Sequence, residues 1–465
     1  MSENKNSVWR TEVHFAPKYG WLNDPNGLIK LDDEYHMFFQ YYPEGTSWGP
    51  MHWGHARSKD LIYWEELPIA LYPDDMGYIF SGSCFLDKEN ISGFGADGKA
   101  PVLAFYTSNE AETHQEQQCV AYSTDMVDFT KYDGNPIIPG PEHSNRRDPE
   151  VIRNDVIGGY TMILTEEECI AFYHSDDLIH WERSGSFVPG ENGLSGICEC
   201  PCLFRAETEE GEKWVLMISM ILTDEEKEKT LSVYNKSGYV MQYYIGDFDG
   251  KTFHDTEKAD VPLLVDYGTD FYAGVVFSNI DYPLSIGWIG NWEYSADIPT
   301  SREDFRGMMS LPRKLGLKKT PAGYRLQSSM LIDNIGFECT KTIDNRSIHT
   351  EEGMFIVKAK ADSGSEIMVG NDVHAISVKI TDTEYIVDRS NAGKKDFNEK
   401  YAEERCSVFR IPRQTDSNEL TLIWDHAVLE IEADNGLTPV TLFAFPEKNY
   451  DRVELKGNVT AEIFS

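Results

Sequence analysis

The chain of 465 residues lacks any stretch approaching the run of about 20 apolar residues that a membrane-spanning helix needs. Its first residues, Met-Ser-Glu-Asn-Lys-Asn-Ser, lack the apolar segment of a secretory signal, so a cytoplasmic location with no membrane partner is expected. Cysteine is sparse: eight thiols in a chain of this length cannot form a disulfide scaffold, and an intracellular setting would keep them reduced. Positive charge is also short. The 42 Lys and Arg residues against 78 Asp and Glu leave a net charge of -36, which excludes nucleic acid and anionic lipid, both of which demand a basic surface. Finally, no window longer than about 11 residues carries a 3.6-residue apolar period, which leaves little room for helix.

Metal chemistry finds no support either. Cys198, Cys200 and Cys202 stand at alternate positions, whereas structural zinc sites pair cysteines across two to four residues. Alternate residues of a strand share a face, so these thiols read as one buried face. His52 and His55 are likewise no metal pair. Neither a metal nor a cofactor is expected.

What the chain does hold is aromatic and β-forming text: 10 Trp, 24 Tyr and 23 Phe suit pleated sheets, and their ring faces also suit the apolar face of a sugar. A short motif recurs as Ser58-Lys-Asp-Leu-Ile-Tyr-Trp64, Ser123-Thr-Asp-Met-Val-Asp-Phe129 and Ser175-Asp-Asp-Leu-Ile-His-Trp181, with a looser copy over Gly246 to Phe253. Five short apolar runs accompany it, starting at His36, Val102, Thr161, Trp214 and Ile286. One buried strand and one Ser-x-Asp turn at blade-sized intervals predict an all-β chain that begins with a five-bladed β-propeller. Beyond Leu311-Pro-Arg313 the text alternates with period two, as in Val428-Leu-Glu-Ile-Glu432, which predicts a C-terminal β-sandwich with one wet face per sheet. The expected domains are 1–318 for the propeller, 319–334 for a linker and 335–465 for the sandwich.

Three acids in turn-like contexts fall in the first domain: Asp24 in Trp-Leu-Asn-Asp-Pro-Asn-Gly, Asp148 in Arg-Asp-Pro and Glu199 in Cys-Glu-Cys-Pro. A glycosidase needs one carboxylate as nucleophile and one carboxylic acid for the leaving oxygen, and a third anion steadies positive charge developing on the sugar. Crowding the three would disfavour ionisation of the acid, Glu199.

Together with Phe80-Ser-Gly-Ser83, Asp266-Tyr-Gly-Thr-Asp-Phe-Tyr-Ala273, Gly290-Asn-Trp-Glu-Tyr294 and Asp388-Arg-Ser-Asn-Ala-Gly393, these motifs resemble, in order and over nearly the whole chain, glycoside hydrolase family 32, the β-fructofuranosidases. The resemblance implies a five-bladed propeller joined to a sandwich. It also implies retaining hydrolysis with Asp24 as nucleophile, Glu199 as acid/base and Asp148 as transition-state stabiliser. By motif position it implies that Asn23, Gln40, Trp48, Phe80, Ser81 and Trp292 line the pocket for the terminal fructose. Arg147 would orient carboxylates, bind sugar hydroxyls or serve only as a salt-bridge partner. Asp270 and Tyr272 stay open between pocket and structural roles. The text over Gly77 to Ser83 and Asn291 to Thr300 is similar to the exo-inulinase and levanase branch, although Cys198 and Cys202 depart from it beside the acid/base. The expected partner is thus a β-fructoside: a short fructo-oligosaccharide, a fructan or sucrose. Sucrose-6-phosphate hydrolysis, fructosyl transfer and a non-catalytic sugar-binding propeller are the alternatives. Oligomeric state is not readable from sequence.

Overall fold

The computed structural model describes residues 7–189, 193–228, 238–344 and 346–465; Met1 to Asn6, on which the signal-segment reading rests, lie outside them. The chain is all-β. Residues 20–330 form five sheets of four or five strands, and residues 339–464 form two six-stranded sheets. In each of the first five, the apolar run found in the sequence is the second strand, as in Glu34–Tyr42, Val102–Asn109 and Tyr160–Glu166. These strands are buried on both faces, which is why they read as unbroken apolar text rather than alternation.

The recurring motif has one physical job. In Ser58, Ser123 and Ser175 the hydroxyl accepts from the backbone N–H three residues on, while Asp60, Asp125 and Asp177 accept from the next two N–H groups. The residue between them, Leu61, Met126 or Leu178, takes a left-handed backbone with φ of 71°, 63° or 67°. Each copy thereby turns the third strand of its sheet into the fourth. Asp249 does the same in the looser copy, accepting from Lys251 and Thr252 with Gly250 at φ 88°.

The first strands of the five sheets are Gly20–Leu31, Tyr78–Leu86, Arg146–Arg153, Gly196–Thr208 and Tyr272–Val276. Each touches the next, and the last touches the first, so the series closes. A parallel pairing of Phe305 and Arg306 with Gly20 and Trp21 joins late chain to early chain at that closure.

Three expectations need correction. The segment 319–334 is not a linker: strands Arg313–Thr320 and Gly323–Met330 form a hairpin in the fifth sheet, with Pro321 and Ala322 of the polar Lys318 to Gly323 text as its turn. The supposedly wet face of Val428–Ala433 is partly dry, because Glu430 is fully buried against the first domain, where Arg313 and His14 receive it. The three cysteines do not share a face either. A register shift between Glu199 and Cys202 breaks the alternation, sending Cys198 toward Met220, Cys200 toward Asp24 and Asp148, and Cys202 toward Glu150.

Candidate active site

All five inner strands carry a register shift in which three residues oppose two on the neighbouring strand. The shifts lie between Leu22 and Pro25, Ile79 and Gly82, Arg147 and Glu150, Glu199 and Cys202, and Tyr272 and Val275. A bulge inserts one unpaired residue and re-aims side chains. Here the shifted residues include Asp24, Ser81 and Asp148, with Glu199 and Tyr272 at the edges of their bulges. Pro25, Pro149 and Pro201 stand in three of them, where a residue without an N–H costs the ladder nothing. Asp148, Cys200 and Ala273 have φ of 64°, 44° and 52°, conformations a side chain adopts only when its surroundings hold it there.

Four of the bulges open onto one pocket of about 800 Å³, and the fifth is tied to it by the hydrogen bond from Tyr272 to Glu199. Asn23, Asp24, Gln40, Trp48, Phe80, Ser81, Arg147, Asp148, Glu199 and Trp292 all line it. The sequence had singled out each of these. On one side Asp24 accepts from Ser81 Oγ at 2.7 Å and from Asn23 Nδ2 at 2.9 Å, and Trp21 Nε1 donates to Asn23 at 2.8 Å to hold the amide in place. Gln40 Nε2 donates to Asn26 Oδ1 at 2.9 Å. Trp292 stacks on Trp21 with centroids 5.9 Å apart, while Trp48, 44% exposed, meets Phe80 edge-on at the rim.

At the floor, Asp148 Oδ2 accepts from Cys200 N at 2.8 Å, and the Cys200 thiol lies 3.6 Å from both Asp148 and Asp24. Burial pushes the Asp148 carboxyl up to about 7. Arg147 opposes that push, whereas Glu199 and Asp24 add to it. Burial raises Asp24 too, against the hydrogen bonds from Ser81 and Asn23. On the far side, Glu199 accepts from Arg147 Nη2 at 2.8 Å and from Tyr272 OH at 2.6 Å. Arg147 is itself gripped by Glu116 at 3.3 Å and Asn145 at 3.0 Å. Glu199 therefore has a cation and a phenol as immediate neighbours in addition to the other two acids.

Tyr272 thus joins the site, and Asp270 does not: the Asp270 carboxylate is buried, accepting from Tyr294 OH and from Arg389 of the C-terminal region. Glu116, Asn145, Tyr239, His114 and His143 also line the pocket, and no motif marks them in the sequence. The signal that could have found Glu116 and Asn145 is Arg147, a buried guanidinium that requires anionic or carbonyl partners. Among the described residues no cluster of His, Cys, Asp and Glu could hold a metal ion.

The burial of Asp148 carries a pH signature. Its unfolded carboxyl ionises near pH 4, whereas the folded one holds its proton until about 7, so folding binds a proton in between and stability falls as pH rises through that window. Asp148→Asn lacks this penalty. It is expected to gain on the order of 2 kcal/mol at pH 7.5, read as a higher Tm, with no gain at pH 4. An equal gain at both pH values would refute the assignment.

The model for the glycosyl hydrolases family 32 N-terminal domain matches residues 14–328, and that for the family 32 C-terminal domain matches residues 327–465. The chain is 35% identical to a levanase of Bacillus subtilis (strain 168) over 476 residues, which span 96% of this chain and 68% of the levanase. It is 31% identical to an extracellular exo-inulinase of Aspergillus awamori over 520 residues, spanning 99% of this chain and 94% of that protein. The crystal structure of exo-inulinase from Aspergillus awamori superposes with a TM-score of 0.85 at 29% identity, covering 100% of this chain and 99% of that one.

Proposed function

The chain belongs to glycosyl hydrolase family 32, and from that premise we propose that it is a retaining glycosidase that releases terminal β-D-fructofuranosyl residues from short fructo-oligosaccharides, fructans or sucrose. The observation that carries this reading is the convergence of Asp24, Asp148 and Glu199, from three different inner strands, on one pocket. Asp24 attacks the anomeric carbon while Glu199 protonates the departing oxygen, which forms a fructosyl ester on Asp24. Glu199 then takes a proton from water as it attacks the ester, so the anomeric configuration is retained. Asp148 faces the developing oxocarbenium ion, and its charge is worth most where solvent is excluded. Asn23 and Gln40 are the hydroxyl-binding amides, and Trp48, Phe80 and Trp292 are the walls against the apolar face of the sugar.

The same reading takes the five closed sheets as the blades of a five-bladed propeller, ending near Met330, and the two six-stranded sheets as a sandwich. The ring of contacts between the five inner strands supports it. An intracellular location belongs to the proposal as well; the eight free cysteines accord with a reducing compartment. Among the described residues lining the pocket, Arg147 is the one permanently cationic side chain, and Glu116 and Glu199 already occupy it. That favours neutral sugars over sucrose 6-phosphate.

Fructose release from sucrose, sucrose 6-phosphate, short inulin-type and levan-type oligosaccharides and long inulin tests the reading. Release from the neutral oligosaccharides, with the product first appearing as the β-anomer by NMR, is the expected result. Activity on the phosphorylated sugar alone, sugar binding without cleavage, or an inverted product would each overturn it.

A further inference from the structure

Where the leaving sugar lies follows from the polar chain running outward from Glu199. Arg147 joins Glu199 to Glu116 and Asn145, and two residues from each stands a histidine, His114 beside Glu116 and His143 beside Asn145. Burial is graded along this path. Glu116 is 4% exposed and Asn145 half-buried, while both histidines are exposed and still line the pocket. Away from this path, Ser81 and Asn23 bond Asp24, the group read as the nucleophile, and Gln40 lines the same pocket.

The two imidazoles lie side by side, tilted by 51° with centroids 6.4 Å apart, near enough for one sugar residue to reach both. Both sit on left-handed backbone, His114 at φ 49° and His143 at φ 53°. Their loops are built to hold them there. Glu110 accepts from the N–H groups of Glu112 and Thr113, His143 N donates to Thr113 O at 3.1 Å, and Gln115 Nε2 donates to Gly140 O at 2.7 Å. Two rings held in a sparsely populated conformation at the mouth of a pocket point to a role there. A neutral imidazole offers one donor and one acceptor in either tautomer, which matches a sugar hydroxyl and needs no charge on the ligand.

We propose that His114 and His143 form an outer subsite for a neutral sugar residue beyond the leaving group, so that the chain recognises fructo-oligosaccharides of three or more units more tightly than sucrose. This rests on the reading of Glu199 as the acid on the leaving-group side. The test is calorimetric binding in an Asp24→Asn background, which prevents turnover, with sucrose and its mono- and difructosyl extensions as probes. His114→Gly and His143→Gly remove each ring and keep the left-handed backbone unstrained. The longer sugars are expected to bind about tenfold more tightly than sucrose, the worth of one or two hydrogen bonds, and the double variant to lose that ratio. No gain with length, or a gain that survives both substitutions, overturns the subsite. Fructose release by the native chain is scored separately. A chain that keeps length-dependent affinity without releasing fructose overturns the hydrolytic reading and leaves the subsite standing.

Discussion

Asp24→Asn is expected to lower kcat for fructose release by about four orders of magnitude or more, because the covalent intermediate forms on the Asp24 carboxylate and a neutral amide is a far weaker nucleophile. The substitution is close to isosteric. The amide oxygen still accepts from Ser81, and Asn23 and Cys200 keep their places, so the pocket keeps its shape and its affinity for sugar. Removing a buried carboxyl whose ionisation burial opposes also leaves Tm unchanged or raised at neutral pH. The combination is diagnostic: activity lost, binding kept, fold intact. A variant retaining more than about 1% of kcat would show that Asp24 is not the nucleophile, since the loss of a nucleophile costs far more than about a hundredfold. Loss of binding together with activity would instead mark Asp24 as a sugar-binding group.

Arg313→Ala is expected to destabilise the protein by about 3–5 kcal/mol, because it strands two buried anions. Arg313 Nη1 donates to Asp266 at 2.8 Å, and Nη2 donates to Glu430 at 2.5 Å and Thr441 at 2.6 Å; all of these groups are buried. The guanidinium also covers the Phe271 ring at 4.3 Å. Glu430 belongs to the C-terminal region and Arg313 to the fifth sheet, so this pair is a clamp between the two halves of the chain. His14 reinforces it from the N-terminal segment, donating between Asp425 and Glu430. Burial alone would lower the His14 pKa, but its two carboxylate partners raise it to about 9. Its contribution is therefore complete below the usual histidine value near 6.5 and lost as pH rises through about 9. Chemical denaturation of Arg313→Ala at pH 7 checks the prediction, with Arg313→Met as a control that keeps the packing volume but not the charge. A loss below about 1 kcal/mol would mean that water reaches Asp266 and Glu430 when the arginine is gone.

The clamp has a second half that bears on the site. Arg389 Nη1 donates to Asp270 at 2.5 Å, and Asp270 also receives Tyr294 OH. Tyr272, two residues after Asp270, reaches Glu199, and Trp292, two residues before Tyr294, walls the pocket. The C-terminal domain contributes no pocket-lining residue among those described, yet it holds the segments that do. Period two alone would put Asp270 and Tyr272 on one face, but Asp270 precedes the strand Tyr272–Val276 and escapes its alternation. Asp270 turns to the interface and Tyr272 to the site.

Other residues were illegible for related reasons. Glu430 sits in a period-two pattern that reads as a solvated face, and burial reverses that reading because Arg313 and His14 arrive from elsewhere in the chain. The cysteine run reads as one face until a bulge reorients Cys200. His114 and His143 are two isolated residues 29 positions apart, and only the packing of their loops makes them a pair.

Strand text, Ser-x-Asp turns and the three acids were legible in the sequence because turn chemistry, apolar runs and short motifs are local properties, while Asn23, Gln40, Trp48, Phe80, Ser81 and Trp292 came through the family resemblance those motifs carry. Tertiary structure decided the direction in which each acid points. An inner strand with unbroken period-two alternation would present every second residue to the axis. An inserted residue in each of five strands breaks that alternation beside the acids, Gly20–Leu31 carrying a second between Asn26 and Ile29, and only closure of the five sheets brings those breaks together.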